Sequence, residues 1–380
     1  KNASEIFVKY EFNNNVKNQI LIKDKTKKPK IAYFSCDFHD HPVLHLIMDV
    51  FKNHDKSKFD FFGFSFGPIK NDKWNEEVKK YFFEFKEINK ISDKDVVNSI
   101  RNQEIDIAID LTGYTGKNRS LIFSDRVAPI QINYLGYPGT TAIQNMDFII
   151  ADETTIPKEN MKYFSEKVLY LPNCYQPNMN KRKVSDKKFK RSEFGLPENG
   201  FVYCSFNNNY KITPQIFSSW MKVLQKVENS VLWILKKNDI AAENLKKKAE
   251  ILGINPKRII FADYLQNDEH LKRLELADLF LDTFPYNAHT TASDAVRMGI
   301  PLITLTGNSF ASRVAASILK NSDMENLITY NLKDYETLAI DLGLHPDKLK
   351  KTKKRLKDYL PKSPIFDSVR FTYNLENLYS

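Results

Sequence analysis

The sequence predicts an α/β protein of two doubly wound, Rossmann-like domains in tandem, facing a crevice and followed by C-terminal helices. Three observations carry this expectation. Short, nearly continuous apolar runs alternate with amphipathic helical patterns through both halves, as in parallel sheets covered on both faces. A polar, basic, proline-containing stretch, 176–199, separates the two runs and reads as an interdomain linker. Several strand ends carry glycine, histidine, asparagine or threonine, and strand ends are where open α/β sheets bind ligands. The expected divisions are an N-terminal stub (1–29), a first domain (30–175), the linker (176–199), a second domain (200–360) and a C-terminal helical tail (361–380) that packs back on the first domain.

Taken in order, "KIAYFSCD" is the first strand and "HPVLHLIMDVFKNH" has helical spacing. "KFDFFGFSFG" is a strand, and "SDKDVVNSIRNQ" is a helix with Ser92 as N-cap. "EIDIAIDLTGYT" and "IQINYLGYPGTT" are buried strands that run into glycine loops; "MDFIIAD" and "KVLYLPN" close this half. After the linker, "GFVYCSFNN" is a strand and "TPQIFSSWMKVLQKV" a helix with Thr213 as N-cap and Pro214 at N1. "SVLWILKK", "RIIFAD", "DLFLDTF" and "PLITLTG" read as strands, with helices between them, and 334–380 as two or three further helices.

Composition narrows the function. With 380 residues, 42% of them hydrophobic, the chain can bury two separate cores. No apolar run is long enough to span a membrane, and no secretory leader is visible. The chain starts at Lys1 rather than Met, which reads as an excised piece of something longer. Cys36, Cys174 and Cys204 are odd in number and widely spaced, which fits reduced core thiols in a cytoplasmic protein rather than disulfides or a zinc site. The net charge of +10 favours an anionic ligand. Its lysine runs, "NKRKVSDKKFKR" among them, read as solvated faces, and no nucleic-acid-binding signature accompanies them.

The strand ends carry the chemistry. In "DTFPYNAHTTASDAVRMGIPLITL", a strand empties into Asn287, Ala288 and His289 just before a helix opens at Thr290 and Thr291. Free backbone N–H groups and the helix dipole make such a mouth an anion site, to which the Thr hydroxyls and the imidazole add donors. Asp294, one turn on, would suit ribose hydroxyls. After "VYCSF", Asn207, Asn208, Asn209 and Lys211 occupy another strand exit, where Lys211 can meet a phosphate as a point charge. His270 and Arg273 share a helix face. In the first half, His39, His41 and His45 flank a strand end, and Gly113, Gly116, Gly136 and Gly139 bring backbone close to a ligand. A pyrophosphate held by Lys, His and Thr donors needs neither metal nor other cofactor. The one DxD, Asp93-Lys94-Asp95, reads as an exposed first helical turn.

The motifs "SCDFHDHPVLHL", "DLTGYTGKNRSLIFSDRVAPIQINYLGYPGTT", "FVYCSFNNNYKITP", "RIIFADYLQNDEHLKR" and "ADLFLDTFPYNAHTTASDAVRMGIPLITL" occur in order. Together they resemble the catalytic region of bacterial-type O-linked N-acetylglucosamine transferases, over roughly residues 30–320. The resemblance implies a GT-B fold and inverting, metal-independent transfer of N-acetylglucosamine from UDP-N-acetylglucosamine to Ser or Thr of an acceptor protein. It implies that Lys211 binds the diphosphate and stabilises the leaving UDP, and that His289, Thr290 and Thr291 hold the phosphates. Asp294 then takes the ribose, His270 and Arg273 flank the nucleotide, and Leu265 offers backbone groups to the uracil. Thr115, Leu135 and Pro138 line the sugar, with His41 beside the reacting centre. The general base is His41, Asp110 or a substrate phosphate. Two departures stand out: Asn267 replaces a lysine of human-type members, and Asn208 replaces a glutamine of the phosphate-side loop. The helical repeats that usually precede the catalytic half are represented at most by the stub. The alternatives are another donor (UDP-glucose or GDP-fucose), a UDP-sugar epimerase, or a non-catalytic sugar-nucleotide-binding protein.

Overall fold

A computed structural model describes residues 2–11 and 27–380 and divides the chain into two compact units, 1–180 with 367–380, and 181–366. The division at 180/181 falls inside the stretch 176–199 that the sequence marks as a linker, and residues 181–199 group with the second unit. Part of the expected stub lies outside the described residues. Its described portion is a helix, α1 (Asn2–Glu11), on which Ser4 Oγ donates to the Thr140 carbonyl at 2.9 Å.

The first unit holds a seven-stranded parallel sheet. In chain order its elements are β1 (Lys30–Ser35), α2 (Pro42–Asn53), β2 (Asp60–Ser65), α3 (Lys73–Lys79), β3 (Glu84–Glu87) and α4 (Asp93–Asn102). Then come β4 (Ile107–Asp110), α5 (Ser120–Ser124), β5 (Ile130–Asn133), β6 (Phe148–Ala151) and β7 (Lys167–Tyr170). The spatial order β3-β2-β1-β4-β5-β6-β7 reverses between β1 and β4, which pair in register from Ile31↔Ile107 to Phe34↔Asp110. Phe34, Phe64, Ile100, Ala108, Ile122 and Phe123 form part of one apolar core against the sheet.

The second unit repeats the plan with six parallel strands. It runs β8 (Phe201–Ser205), α6 (Pro214–Lys226), β9 (Ser230–Leu235), α7 (Asp239–Ile251), β10 (Ile259–Ala262), α8 (Asn267–Leu274) and β11 (Leu279–Leu281). It continues through α9 (Thr290–Arg297), β12 (Leu302–Leu305), α10 (Val314–Lys320), β13 (Ile328–Thr329), α11 (Leu332–Leu344) and α12 (Pro346–Tyr359). The order β10-β9-β8-β11-β12-β13 reverses between β8 and β11, where Leu279 pairs with Tyr203. Thr213 caps α6 as its sequence predicts, accepting from the Ile216 N–H at 3.3 Å. A last helix, α13 (Ser368–Asn377), packs against α2 in the first unit.

Each unit therefore has one switch point where consecutive strands part, and ligands bind at such points beyond the strand carboxyl ends. In the first unit the loops there are 36–41 and 111–119. In the second they are 206–211 and 282–289.

Candidate functional site

In the second unit the two switch-point loops are tied by a buried polar network. Asp282, fully buried at the end of β11, accepts from the N–H of Thr283 (2.7 Å), the N–H of Ala288 (2.6 Å) and the Thr304 hydroxyl (2.7 Å). The loop thereby folds around one carboxyl group. Asn207, at the exit of β8, donates to the Thr283 hydroxyl at 2.9 Å and accepts from the Thr291 hydroxyl at 2.6 Å. Both strand exits and the mouth of α9 are thus one assembly.

Lys211 reaches into this assembly. Its ammonium donates to the Asn287 carbonyl at 2.9 Å and lies 3.8 Å from the centre of the Tyr286 ring. Among the described residues no carboxylate stands at ion-pair distance from it. Burial pulls its pKa down to about 8, and burial likewise pushes Asp282 up to about 7, each partly opposed by the other's charge. A partly desolvated cation facing neutral partners is a seat for an anion. Asn208 opens the short turn that carries Lys211, whose backbone N–H donates to the Asn208 carbonyl at 2.9 Å.

His289 occupies the N-cap position of α9 without capping through its side chain. Its Nε2 lies 3.2 Å from the Ala311 carbonyl, and burial lowers its pKa to about 3. A neutral ring that donates through Nε2 offers an acceptor at Nδ1. The donors ready for a phosphate are thus the backbone N–H groups of Thr290 and Thr291, which precede the first bonds of the helix, from Ala292 and Ser293 to the His289 carbonyl. The imidazole joins them once an arriving anion raises its pKa.

His270 and Arg273 share one face of α8, as their spacing predicts, with Arg273 Nε donating to His270 Nδ1 at 3.0 Å. Arg273 is 1% exposed, lies over Phe206 and donates to the Asp263 carbonyl at 2.5 Å. It ties the start of the loop that carries Leu265 to His270. Asp294 is buried on α9 and ion-paired with Arg182, which also donates to Asn267 Oδ1 at 2.5 Å.

The basic run around Arg182 is therefore not the uniformly solvated face its composition suggests. Arg182 and Arg191 are largely buried in ion pairs with Asp294 and Asp278, while Lys183 and Lys187 remain exposed beside Asp268 and Glu269. Arg182, Asp282 and Tyr286 are the members of this site that the sequence reading missed. Arg182 was hidden in a lysine-rich run, and Asp282 and Tyr286 lie in the strand-exit loop where the reading rested on Asn287, His289, Thr290 and Thr291.

In the first unit, His41 caps α2. Its Nδ1 faces the Val43 N–H at 3.3 Å and Asp37 Oδ1 at 3.5 Å, and burial lowers its pKa. His39 sits 5.7 Å from it, ring to ring, while His45 turns away to Asp40 at 2.7 Å. Asp110 is 2% exposed and accepts from the N–H groups of Thr112 (2.9 Å) and Gly113 (3.1 Å); burial pushes its pKa up to about 6. Thr115 closes the same turn onto the Thr112 carbonyl at 2.7 Å, and Leu135 holds a left-handed backbone, φ +71°. Pro138 lies in the following loop, where the Asn133 side chain fixes the Gly139 carbonyl at 3.0 Å.

Two of the glycines here, Gly113 and Gly136, serve loop-to-loop packing. A Cβ on Gly136 would lie 2.1 Å from the Leu111 carbonyl oxygen, and one on Gly113 would lie 2.4 Å from Tyr137 Cβ. Asp93 is ion-paired with Arg119 and Asp95 is bonded to Ser92, so the DxD is the first turn of α4.

The glycosyl transferase family 41 profile matches residues 5–191 and 180–375. The chain is 35% identical over 359 residues to the probable UDP-N-acetylglucosamine–peptide N-acetylglucosaminyltransferase SEC of Arabidopsis thaliana, covering 93% of this chain and 37% of that protein. It is 31% identical over 372 residues to the probable enzyme of the same description, SPINDLY, of Solanum lycopersicum, covering 94% and 39%. It thus spans well under half the length of these relatives. Among solved structures, a mutant of the Thermobaculum terrenum O-GlcNAc transferase matches with a TM-score of 0.89 at 22% identity, over 99% of this chain and 72% of that one. This likeness shows the fold, two Rossmann-like units of the GT-B class.

Proposed function

Because the chain belongs to glycosyl transferase family 41, we propose that it moves N-acetylglucosamine from UDP-N-acetylglucosamine to Ser or Thr hydroxyls of a protein, with inversion and without a metal. The printed descriptions of its plant relatives support the donor and the peptide acceptor. The observation that carries the proposal is the anion seat of the second unit. Lys211, which has no carboxylate at ion-pair distance among the described residues, and the open end of α9 are joined through Asn207 at the switch point.

Breaking the bond between the sugar and UDP places negative charge on the β-phosphate. Prepositioned donors aimed there lower the barrier electrostatically. Lys211, the N–H groups of Thr290 and Thr291, and His289 are that set. The same set replaces the role of a divalent cation, which is why the reading is metal-free. Asp294 receives the ribose and the Leu265 loop the base. On the acceptor side, Thr115, Leu135 and Pro138 bound the sugar. The proton acceptor is His41, Asp110 or a substrate phosphate; the N–H groups of Thr112 and Gly113 hold Oδ1 of Asp110, which leaves Oδ2 to accept. His41 Nδ1 caps α2 by accepting from the Val43 N–H, so its Nε2 accepts a proton only in the tautomer that turns an Nδ1–H to Asp37 instead. Three buried thiols, none of them in a disulfide, fit a reducing, cytoplasmic setting.

Calorimetry of UDP and GDP with the wild-type chain and Lys211→Ala tests the seat. We expect selective UDP binding that Lys211→Ala loses. GDP preference would move the donor to fucose, and sugar isomerisation without acceptor would mark an epimerase.

A further inference from the structure

The sequence shows a cation missing from the nucleotide side, at Asn267, and the structure brings one in from elsewhere. Arg182 lies just past the unit boundary, and its side chain is 9% exposed. One Nη donates to Asp294 and the other to Asn267 Oδ1, the residue that stands where the resemblance expects a lysine. Its charge also falls on His270, whose pKa is lowered by burial first and then by Arg273 and Arg182. One guanidinium that no sequence motif marks thus bonds Asp294 and Asn267 and acts electrostatically on His270. A planar fork suits this geometry, since it can hold a carboxylate on one N–H edge and an amide on another. Burial pushes the pKa of Asp294 up while Arg182 opposes the shift, so the guanidinium helps to keep that carboxyl ionised and oriented.

We propose that Arg182 is a positioning residue for the ribose of the bound nucleotide: it supplies the cation that Asn267 lacks and fixes Asp294 as acceptor for the ribose hydroxyls. This rests on the function proposed above. A purely structural account competes with it, because neighbouring contacts, such as Lys183 to Asp268 and the Ser185 N–H to the Asp268 carbonyl, lay the same segment along α8.

The two accounts separate in binding measurements on wild type, Arg182→Met and Arg182→Met/Asn267→Lys, using UDP, 2′,3′-dideoxy-UDP and inorganic pyrophosphate. We expect Arg182→Met to weaken UDP on the order of tenfold or more, the scale of a hydrogen bond to a charged group. Pyrophosphate binding should stay unchanged. The mutant should also no longer distinguish UDP from its dideoxy analogue, which the wild type should bind more weakly. The double variant should recover most of the loss, because the lysine restores a cation beside Asp294. If Arg182→Met does not fold, the double variant and Arg182→Lys carry the same comparison.

Retained discrimination of the ribose hydroxyls in Arg182→Met would overturn the proposal. So would equal losses for UDP, its analogue and pyrophosphate, or a double variant that folds without recovery. Failure of the underlying reading looks different: a folded wild type that binds no UDP, or a Lys211→Ala variant that binds it normally.

Discussion

At the scale of single residues, Lys211 and Asp110 show how burial alone assigns different work to two charged groups. Lys211 is desolvated and has no ion-pair partner among the described residues, and its pKa falls to about 8. Its ammonium is therefore present below that pH and lost above it, while the phosphates of UDP are fully ionised throughout that range. Affinity for UDP should fall as pH rises from 8 to 10, read by calorimetry at fixed ionic strength. Lys211→Arg should flatten the profile, since a guanidinium does not titrate there. Asp110, by contrast, holds a turn: its Oδ1 accepts two backbone N–H groups and its pKa is raised to about 6. An asparagine can accept both bonds through its own oxygen. Asp110→Asn should therefore keep most activity, whereas Asp110→Ala leaves two buried donors unmet and should cost about 1–3 kcal/mol of stability. A large loss of kcat in Asp110→Asn with an unchanged melting temperature would instead make this carboxyl the base. His41→Ala should lower kcat with little change in UDP affinity.

At the scale of elements, what the chain spells out plainly is what depends on periodicity and caps. The helix that opens at Thr290, the Thr213 cap with Pro214 behind it, the Ser92 cap and the apolar strands β1, β4, β8 and β11 each repeat a local rule several times over a short stretch. The reading passed over α3, β3 and β13. β3 is "EFKE", with every residue only partly buried, and its place at the sheet edge comes from backbone pairing with β2 rather than from an apolar run. β13 is two residues long. Long-range pairs were equally silent: nothing local tells Arg182 from the lysines around it, because its partner lies 112 positions away. The glycines read as places where backbone comes close to a ligand; at Gly113 and Gly136 the backbone also comes close to the neighbouring loop. At Gly136 even a methyl group collides with the Leu111 backbone. Gly136→Ala must then separate the loops after β4 and β5, which carry Thr115, Leu135 and Pro138. It should cost about 1–3 kcal/mol, the scale of overpacking a close contact. It should also impair transfer while leaving UDP binding to the second unit intact. Normal transfer with an unchanged melting temperature would show that the two loops part freely.

At the scale of the whole molecule, the chain enters its second unit at residue 181 and returns to the first at residue 367, so the last helix completes a core laid down more than three hundred residues earlier. The return is polar as well as apolar. Tyr33 meets Tyr379 and His54 Nε2, each at 2.8 Å; His54 Nδ1 in turn meets Glu376 Oε1 at 2.9 Å, and that oxygen also accepts the Asp55 N–H at 2.8 Å. Burial lowers the His54 pKa even against the carboxylate. A neutral ring fits the chain of bonds: it accepts the Tyr33 hydroxyl at Nε2 and donates from Nδ1 to Glu376. The folded state then binds fewer protons here than the unfolded one. This contribution to stability is complete above the ordinary histidine pKa of about 6.5 and is lost as pH falls through the window below it. Removing residues 367–380 takes Tyr379 from Tyr33 and Glu376 from His54, and it uncovers Phe59, which Tyr379 meets edge-on at 6.2 Å ring to ring. Hydrogen exchange on a chain ending at residue 366 should show protection lost in β1, β2 and α2, and kept in β8, β9 and β11. Glu376→Gln is the milder probe. The amide oxygen can still accept from His54 and Asp55, so the protein should fold, and the loss of the charge that favours protonated His54 should steepen the decline in stability below pH 6.5. Even loss of protection across both sheets on truncation would mean that α13 supports the molecule as a single cooperative unit instead of closing the first core.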